Sequence, residues 1–368
     1  MSKTMIVGDV HLHNFSAFAD PTDLPWMNTR AKLILDTIRE TLRRAWSEGC
    51  ESVVFLGDIF ETNKPTVQLQ RSLSDLFLDF KFFKNIYLMV GNHDRTSGAL
   101  YDHGLAMMDL VHNVTVVDQP VRHGKLWMVP WLAPKQHGFA DAYDWLHGVP
   151  CQEPSVLCLH NGLYGAAQQV TVGEGDRNAF DALEVSRLEY ICKRQNVQHV
   201  LAGHWHAHKH FQTEAIKTMV QLGALMGSSF SDSAPPFQYG VCAIFDDEKD
   251  TLSYVIIPGP RFLRGQDSMP YAGDAVEGSR IYVSVKASKS AIPRLRDECL
   301  DLLSANTIAG FVIEASPDSL KKEADEVRAT ISRDSAQDAI EDYIASMAPD
   351  PKTAGAASSV AISAWKRV

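Results

Sequence analysis

A chain of 368 residues with 45% hydrophobic and 22% charged residues has the composition of a folded globular protein; disordered and fibrous classes are excluded, and the length suits one large domain with a smaller appendage. No run approaches the roughly 18 apolar residues of a membrane span, and the start "MSKTMIVGDV" lacks a secretory-signal layout, so the expected location is the cytoplasm. A formal charge of -10 disfavours sequence-independent binding to nucleic acid unless bound cations or a basic partner help.

The first element, "MIVGD" (residues 5–9), is a short apolar run ending in a carboxylate. Residues 29–49, "TRAKLILDTIRETLRRAWSEG", carry helical periodicity closed by Gly49. A second apolar run, "SVVFLGD", ends at Asp58, and a second helical segment covers 68–83. A third run, "IYLMVGNHD", ends in Asn92, His93 and Asp94. Two more, "SVLCLH" and "HVLAGH", end at His160 and His204, after which His206, His208 and His210 follow at every second position. Strand, helix, strand predicts a βα-layered sheet. Runs apolar on both faces fit strands sandwiched between helices, and in such sheets ligands bind outside the carboxyl ends of the strands, where all of these residues sit.

Up to residue 257 the chain completes this layer as strand, loop and hairpin, including the polar loop "GSSFSDSAPPFQYG". After "PGPRFLRG" the composition changes: "RIYVSV" (280–285), "AIPRLRDECLDLLS" (291–304) and "IAGFVIEA" (308–315) read as strand, helix, strand, too small to stand alone. Residues 258–296 hold seven Lys or Arg against three acids, a modest local excess. Farther on, Ala336, Ile340, Tyr343, Ile344 and Met347 share one helical face, and "GAASSVAISAWKRV" offers a second short amphipathic segment. The expected division is 1–257, 258–316 and 317–368.

Asp9, His11, Asp58, Asn92, His160, His204 and His206 offer oxygen and imidazole donors without thiolate, a set suited to Mn²⁺, Fe or Zn. The six scattered cysteines lack CxxC spacing and read as reduced thiols. Seven ligands are too many for one ion unless a carboxylate is shared; two ions about 3.5–4 Å apart, bridged by one Asp, would use them all. Each motif alone has a bland rival, since "GD" and "GNHD" also occur as turns. His13, His208 and His210 are expected to be structural or solvated, as are His103, His112, His123, His137, His147 and His199.

Taken together and in order across residues 9–206, "DVH", "GDIF", "GNHD", His160 and "GHWH" resemble the calcineurin-like metallophosphoesterase superfamily. Within it they resemble the SbcD-type recombination nucleases, with the nearest likeness to the recombination endonuclease subunits of tailed bacteriophages. The resemblance implies an α/β fold, a layered metallophosphoesterase β-sandwich flanked by helices, with a small α/β cap and C-terminal helices. It implies one metal on Asp9, His11, Asp58 and His206 and another on Asp58, Asn92, His160 and His204, most simply two Mn²⁺ ions. His93 would be the catalytic histidine, with Asp94 holding its ring. The implied activity is a two-metal DNA nuclease, an exonuclease on double-strand ends and an endonuclease on single strands, acting in recombination, repair and DNA degradation.

Residues 258–316 would be a DNA-binding cap with Arg261, Arg264, Lys286 and Lys289 as candidate contacts. Residues 317–368 would dock on an SMC-like ATPase of the SbcC type, and the nuclease would be a homodimer. Rival readings are a small-molecule phosphatase or cyclic-nucleotide phosphodiesterase with the same metal site, and a non-catalytic scaffold. Two positions depart from the family pattern: His13 stands where glycine is usual, and Glu61 stands where cellular members often carry a second histidine.

Overall fold

All five apolar runs that end in candidate ligands form strands, but two sheets share them. The computed structural model describes residues 3–16, 19–97, 99, 101–131, 143, 146, 155–165, 182–227, 239–270, 281–305 and 307–316. In chain order come β1 (Lys3–Val7), α1 (Thr29–Ser47), β2 (Cys50–Phe55), α2 (Val67–Asp79), β3 (Asn85–Met89), β4 (Val114–Val117), β5 (Val121–His123) and β6 (Leu126–Val129). Then follow β7 (Ser155–Leu159), the short pair β8 (Leu163–Tyr164) and β9 (Leu183–Glu184), α3 (Val185–Arg194), β10 (Val197–Ala202), β11 (Lys209–Phe211) and β12 (Thr218–Gln221). A hairpin, β13 (Val241–Asp246) and β14 (Thr251–Ile256), completes the sandwich.

One six-stranded sheet has the order β14-β13-β1-β2-β3-β4 and the other β11-β12-β10-β7-β6-β5. β1 to β4 run parallel in the first, as do β6, β7, β10 and β12 in the second, with antiparallel strands at the margins. Alternation along each strand decides the packing. In β1 and β2, Met5, Val7, Val53 and Phe55 face Ile34, Ile38, Leu42 and Phe77 of the helices, while Ile6, Val54 and Leu56 meet Met128, Val156, Cys158 and Leu201 of the other sheet. The opposite face of the second sheet packs Leu157, Leu159 and Val200 on Leu188 and Ile191 of α3. The chain is therefore helix, sheet, sheet, helix. Each such buried aliphatic side chain contributes roughly 1.5–3 kcal/mol, so two-sided burial explains why these strands read as unbroken apolar runs.

Local signals set the helix ends. The Asn28 side chain caps α1 by accepting from the Ala31 N–H, and Gly49, at φ 77°, turns the chain out after its last turn. Thr66 caps α2 through the Leu69 N–H. α2 stops at Asp79 and not at residue 83 as the periodicity suggested, because Phe80 and Phe83 leave the helical path to enter the core.

A third sheet has its own small core. β15 (Arg261–Gln266), β16 (Ile281–Ala287) and β17 (Gly310–Ala315) run parallel, with α4 (Ile292–Ser304) packing Leu295 and Cys299 on Val283 and Val285. The segment "PGPRFLRG", read from sequence only as a boundary, supplies the edge strand β15. Its two arginines and glycine hide the strand, and pairing to β16 creates it. The C-terminal helices expected in 317–368, and most of the loop "GSSFSDSAPPFQYG", lie outside the described residues. Among the described residues no helix is long and apolar enough to cross a membrane.

Candidate metal centre

The carboxyl ends of β1, β2, β3, β7 and β10 meet at one rim of the sandwich, and the loops leaving them are tied to one another. The N–H groups of Val10 and His11 both donate to the Asp58 carbonyl, at 3.1 and 2.8 Å, and the His204 N–H donates to Asp9 Oδ1 at 3.1 Å. The His93 N–H donates to Asp58 Oδ1 at 2.9 Å. Six non-glycine residues among those described have positive φ, and three of them, His11 (53°), Asp58 (47°) and His204 (80°), are in this cluster. Such backbone costs on the order of 1–3 kcal/mol per residue and persists only where its surroundings enforce it, which marks the rim as a functional site.

The glycines of the motifs have a steric reason. Gly57, at φ 130°, lies so close to His160 that an added Cβ would sit 2.3 Å from Nδ1. A Cβ on Gly91 would meet Asp58 Oδ1 at 2.0 Å.

All seven candidate ligands converge. Asp9, His11 and His206 form one group whose donor atoms lie within 4.8 Å of one another, and Asp58, His160 and His204 form another. Asp58 Oδ2 stands between them, 3.7 Å from His11 Nε2 and 3.3 Å from His160 Nε2. Asn92 Oδ1 accepts from His160 Nε2 at 3.0 Å and from His204 Nδ1 at 2.9 Å. His160 donates through Nδ1 to the Leu56 carbonyl at 2.9 Å, which turns Nε2 inward.

Electrostatics follow from this crowding. Burial alone would lower His11, but the Glu61 hydrogen bond and the charges of Asp58, Glu61 and Asp9 raise it to about 9. Burial opposes protonation of His160 too, and Asp58 and Asp9 lift it to about 9. Burial and the neighbouring His160 push His204 down to about 3. Burial works to raise Asp58, yet His160, His11 and His93 hold it far below the usual carboxylate range. The buried carboxylates thus draw positive charge to the imidazoles beside them, the places that divalent cations can take.

Two further observations fit cations. His206 Nε2 and His11 Nε2 approach to 2.9 Å, a pair of lone-pair nitrogens that needs a proton or a metal between them. Buried Asp9 Oδ2 has no hydrogen-bond partner among the described residues. The donor set itself, five imidazole or carboxylate groups around Asp58 plus an amide oxygen, suits hard or borderline divalent ions.

His93 shares the rim with His11 and Asp58 and is more open than either, with 33% of its side chain exposed. Its Nδ1 donates to the Glu61 main-chain carbonyl at 3.0 Å. Asp94, expected to hold that ring, also ties backbone together. Its carboxylate accepts from the backbone N–H groups of Gly91 (2.9 Å), Phe60 (3.0 Å) and Ile59 (3.2 Å), clamping the β2 loop to the β3 loop. Burial and the Asp58 charge raise Asp94 to about 6. Adjacency in "GNHD" could not reveal this, because two of the three residues it clamps, Ile59 and Phe60, lie more than thirty positions away.

His208 and His210 stay out of the cluster. His208 donates to the Leu222 carbonyl at 3.0 Å, and both rings lie against Tyr254 at the sandwich margin. His13 is buried: Nδ1 donates to the His11 carbonyl at 2.6 Å and Nε2 accepts from Arg30 Nε at 3.2 Å. The sequence reading missed Arg30, a buried cation on the core-facing side of α1, and left Glu61 without a role.

Of the candidate DNA contacts, Arg264 and Lys286 are exposed. Arg261 faces the other side of β15, partly buried, its guanidinium 5.8 Å from the Tyr239 ring. Lys289 lies exposed in the turn before α4.

The family model for calcineurin-like phosphoesterase matches residues 2–208, a stretch that contains every member of the cluster. Comparison with curated proteins finds no match.

Proposed function

The chain belongs to the calcineurin-like phosphoesterase family, metal-dependent hydrolases of phosphoesters, and from that premise we propose that it is a two-cation nuclease acting on DNA. One cation would be held by Asp9, His11, Asp58 and His206 and the other by Asp58, Asn92, His160 and His204, with Mn²⁺ favoured by an oxygen and imidazole donor set that contains an amide. When bound, such a pair activates water as nucleophile and neutralises charge on the phosphoryl oxygens.

The chain's own groups do the rest. His93 is placed to hand a proton to the departing sugar oxygen: the Nδ1 bond to the Glu61 carbonyl fixes its tautomer and makes Nε2 the working nitrogen. Asp94 keeps the His93 loop in register with Asp58.

The substrate class rests on the position of the third sheet. Phe262 and Tyr282 stack with ring centroids 5.1 Å apart and, with His11, His13 and Arg30, line a narrow cleft beside the metal cluster. Strand alternation puts Arg264 and Lys286 on the same face as Phe262 and Tyr282, with Glu314 as the register neighbour of Lys286. A polymer phosphodiester seated at the rim extends along that face and meets two exposed cations. A small ester does not reach them.

The test compares Mn²⁺-dependent digestion of labelled duplex DNA with hydrolysis of a nitrophenyl phosphodiester. Replacing Arg264 and Lys286 together by alanine is expected to weaken DNA cleavage and lower the salt slope by about 2, since each phosphate contact carries about 0.9 of slope, while small-ester hydrolysis is unchanged. Hydrolysis of the small ester alone, with duplex DNA untouched, would overturn the nuclease reading and favour a small-molecule phosphodiesterase.

Homodimer formation and partnership with an SbcC-type ATPase are supported by the motif resemblance and by the amphipathic sequence of 317–368. Removing residues after Asp318 is expected to abolish co-purification with such an ATPase and leave small-ester cleavage intact.

A further inference from the structure

Glu61 follows Asp58 by three residues, and the backbone between them is pinned. The N–H groups of Ile59 and Phe60 donate to Asp94, the Leu12 N–H donates to the Ile59 carbonyl at 2.8 Å, and the Glu61 N–H donates to the Leu12 carbonyl at 3.2 Å. This ladder fixes the main chain of Glu61. Its carboxylate Oε2 lies 2.8 Å from His11 Nδ1, and its main-chain carbonyl lies 3.0 Å from His93 Nδ1.

We propose that Glu61 is a positioning residue for the whole centre, orienting the His11 imidazole toward one cation with its side chain and the His93 imidazole toward the substrate with its backbone. The inference rests on the two-cation reading given above. With the Glu61 carboxylate paired to Nδ1, His11 presents Nε2 inward, where that nitrogen lies 2.9 Å from His206 Nε2 and 3.7 Å from Asp58 Oδ2. A carboxylate behind a ligating imidazole locks the ring and increases its donor strength. Only 24% of the Glu61 side chain is exposed, so water competes weakly for that ion pair. The division between side chain and backbone makes the two functions separable: a substitution at Glu61 withdraws support from His11 and leaves the carbonyl under His93.

The test is a titration of the full chain with Co²⁺, read by its visible absorption, and with Mn²⁺, read by electron paramagnetic resonance. Wild type is expected to bind two ions. Glu61→Ala is expected to weaken one of them about 10–100-fold and leave the other unchanged. Glu61→Gln, whose amide oxygen keeps an acceptor beside Nδ1, is expected to recover most of that affinity and the wild-type Co²⁺ spectrum. Glu61→Ala binding both ions like wild type would overturn the inference alone, as would Glu61→Gln binding as weakly as Glu61→Ala. A wild-type chain that binds fewer than two ions would overturn the two-cation reading beneath it.

Discussion

Gly57→Ala isolates how tightly the backbone is packed against the centre. At φ 130° the residue occupies a region open essentially to glycine, which costs an alanine on the order of 1–3 kcal/mol. The new Cβ would also stand 2.3 Å from His160 Nδ1 and 2.8 Å from its Cγ, about an ångström inside contact distance. His160 is fully buried, so its ring must rotate off its rotamer, at about 0.5–1.5 kcal/mol. In doing so it gives up the 2.9 Å bond to the Leu56 carbonyl, at about 1–3 kcal/mol for the buried partner left behind. The expected loss is therefore about 3–7 kcal/mol, a large share of a typical stability of about 5–15 kcal/mol. Gly49→Ala is the matched control: φ is also positive, at 77°, but nothing lies within 4 Å of its Cβ position, so only the backbone cost of about 1 kcal/mol remains. Thermal melts with Mn²⁺ and with chelator, and a Mn²⁺ titration, read both effects. Gly57→Ala should melt well below Gly49→Ala and lose one ion by at least tenfold, on the order of the cost of a disturbed ligand shell. Equal melting and equal metal binding in the two variants would refute the steric account of the "GD" motif.

His93→Asn is expected to keep both ions and lose about 10²–10⁴-fold in hydrolysis, measured by steady-state rates beside a metal titration; full activity would remove His93 from proton transfer. His11 and His160, both raised to about 9 in the metal-free chain, stabilise the fold fully below the ordinary histidine value of 6.5 and lose that contribution as pH rises through 9. The chelated protein should therefore melt progressively lower between pH 6.5 and 9, whereas the Mn²⁺-loaded protein, with metal in place of those protons, should show a much flatter profile. Binding at pH 7.5 should accordingly release protons, seen by calorimetry in buffers of different ionisation enthalpy; release of none would contradict the assigned protonation. Asp94→Ala should leave the Gly91, Phe60 and Ile59 N–H groups unsatisfied and destabilise the fold by several kcal/mol, at roughly 1–3 kcal/mol each, in a denaturant melt.

Much of the centre was legible because it is written locally. Asp9, Asp58, Asn92, His160 and His204 each follow an apolar run of strand length, and the place where a strand ends depends on residues within a few positions of that end. The helix caps Asn28 and Thr66 and the exit at Gly49 are local in the same way. The strand β15 was not legible, since "RFLRG" has too few apolar residues to announce itself and forms by pairing with β16 across residues the periodicity does not connect.

By itself, then, the amino-acid order determined the donor types, their spacing and the strand ends that carry them, because those depend on backbone propensity and side-chain alternation over short stretches. The tertiary structure decided which of two sheets each strand joined, that Asp94 grips the backbone of the β2 loop, and that Glu61 reaches His11 fifty residues earlier. Those facts turn on the approach of chain segments remote in sequence, such as the His204 N–H and Asp9 carboxylate, 195 positions apart and joined at 3.1 Å. Burial at the sandwich rim sets their strength, and burial is a property of the packed layers, which no short stretch of sequence contains.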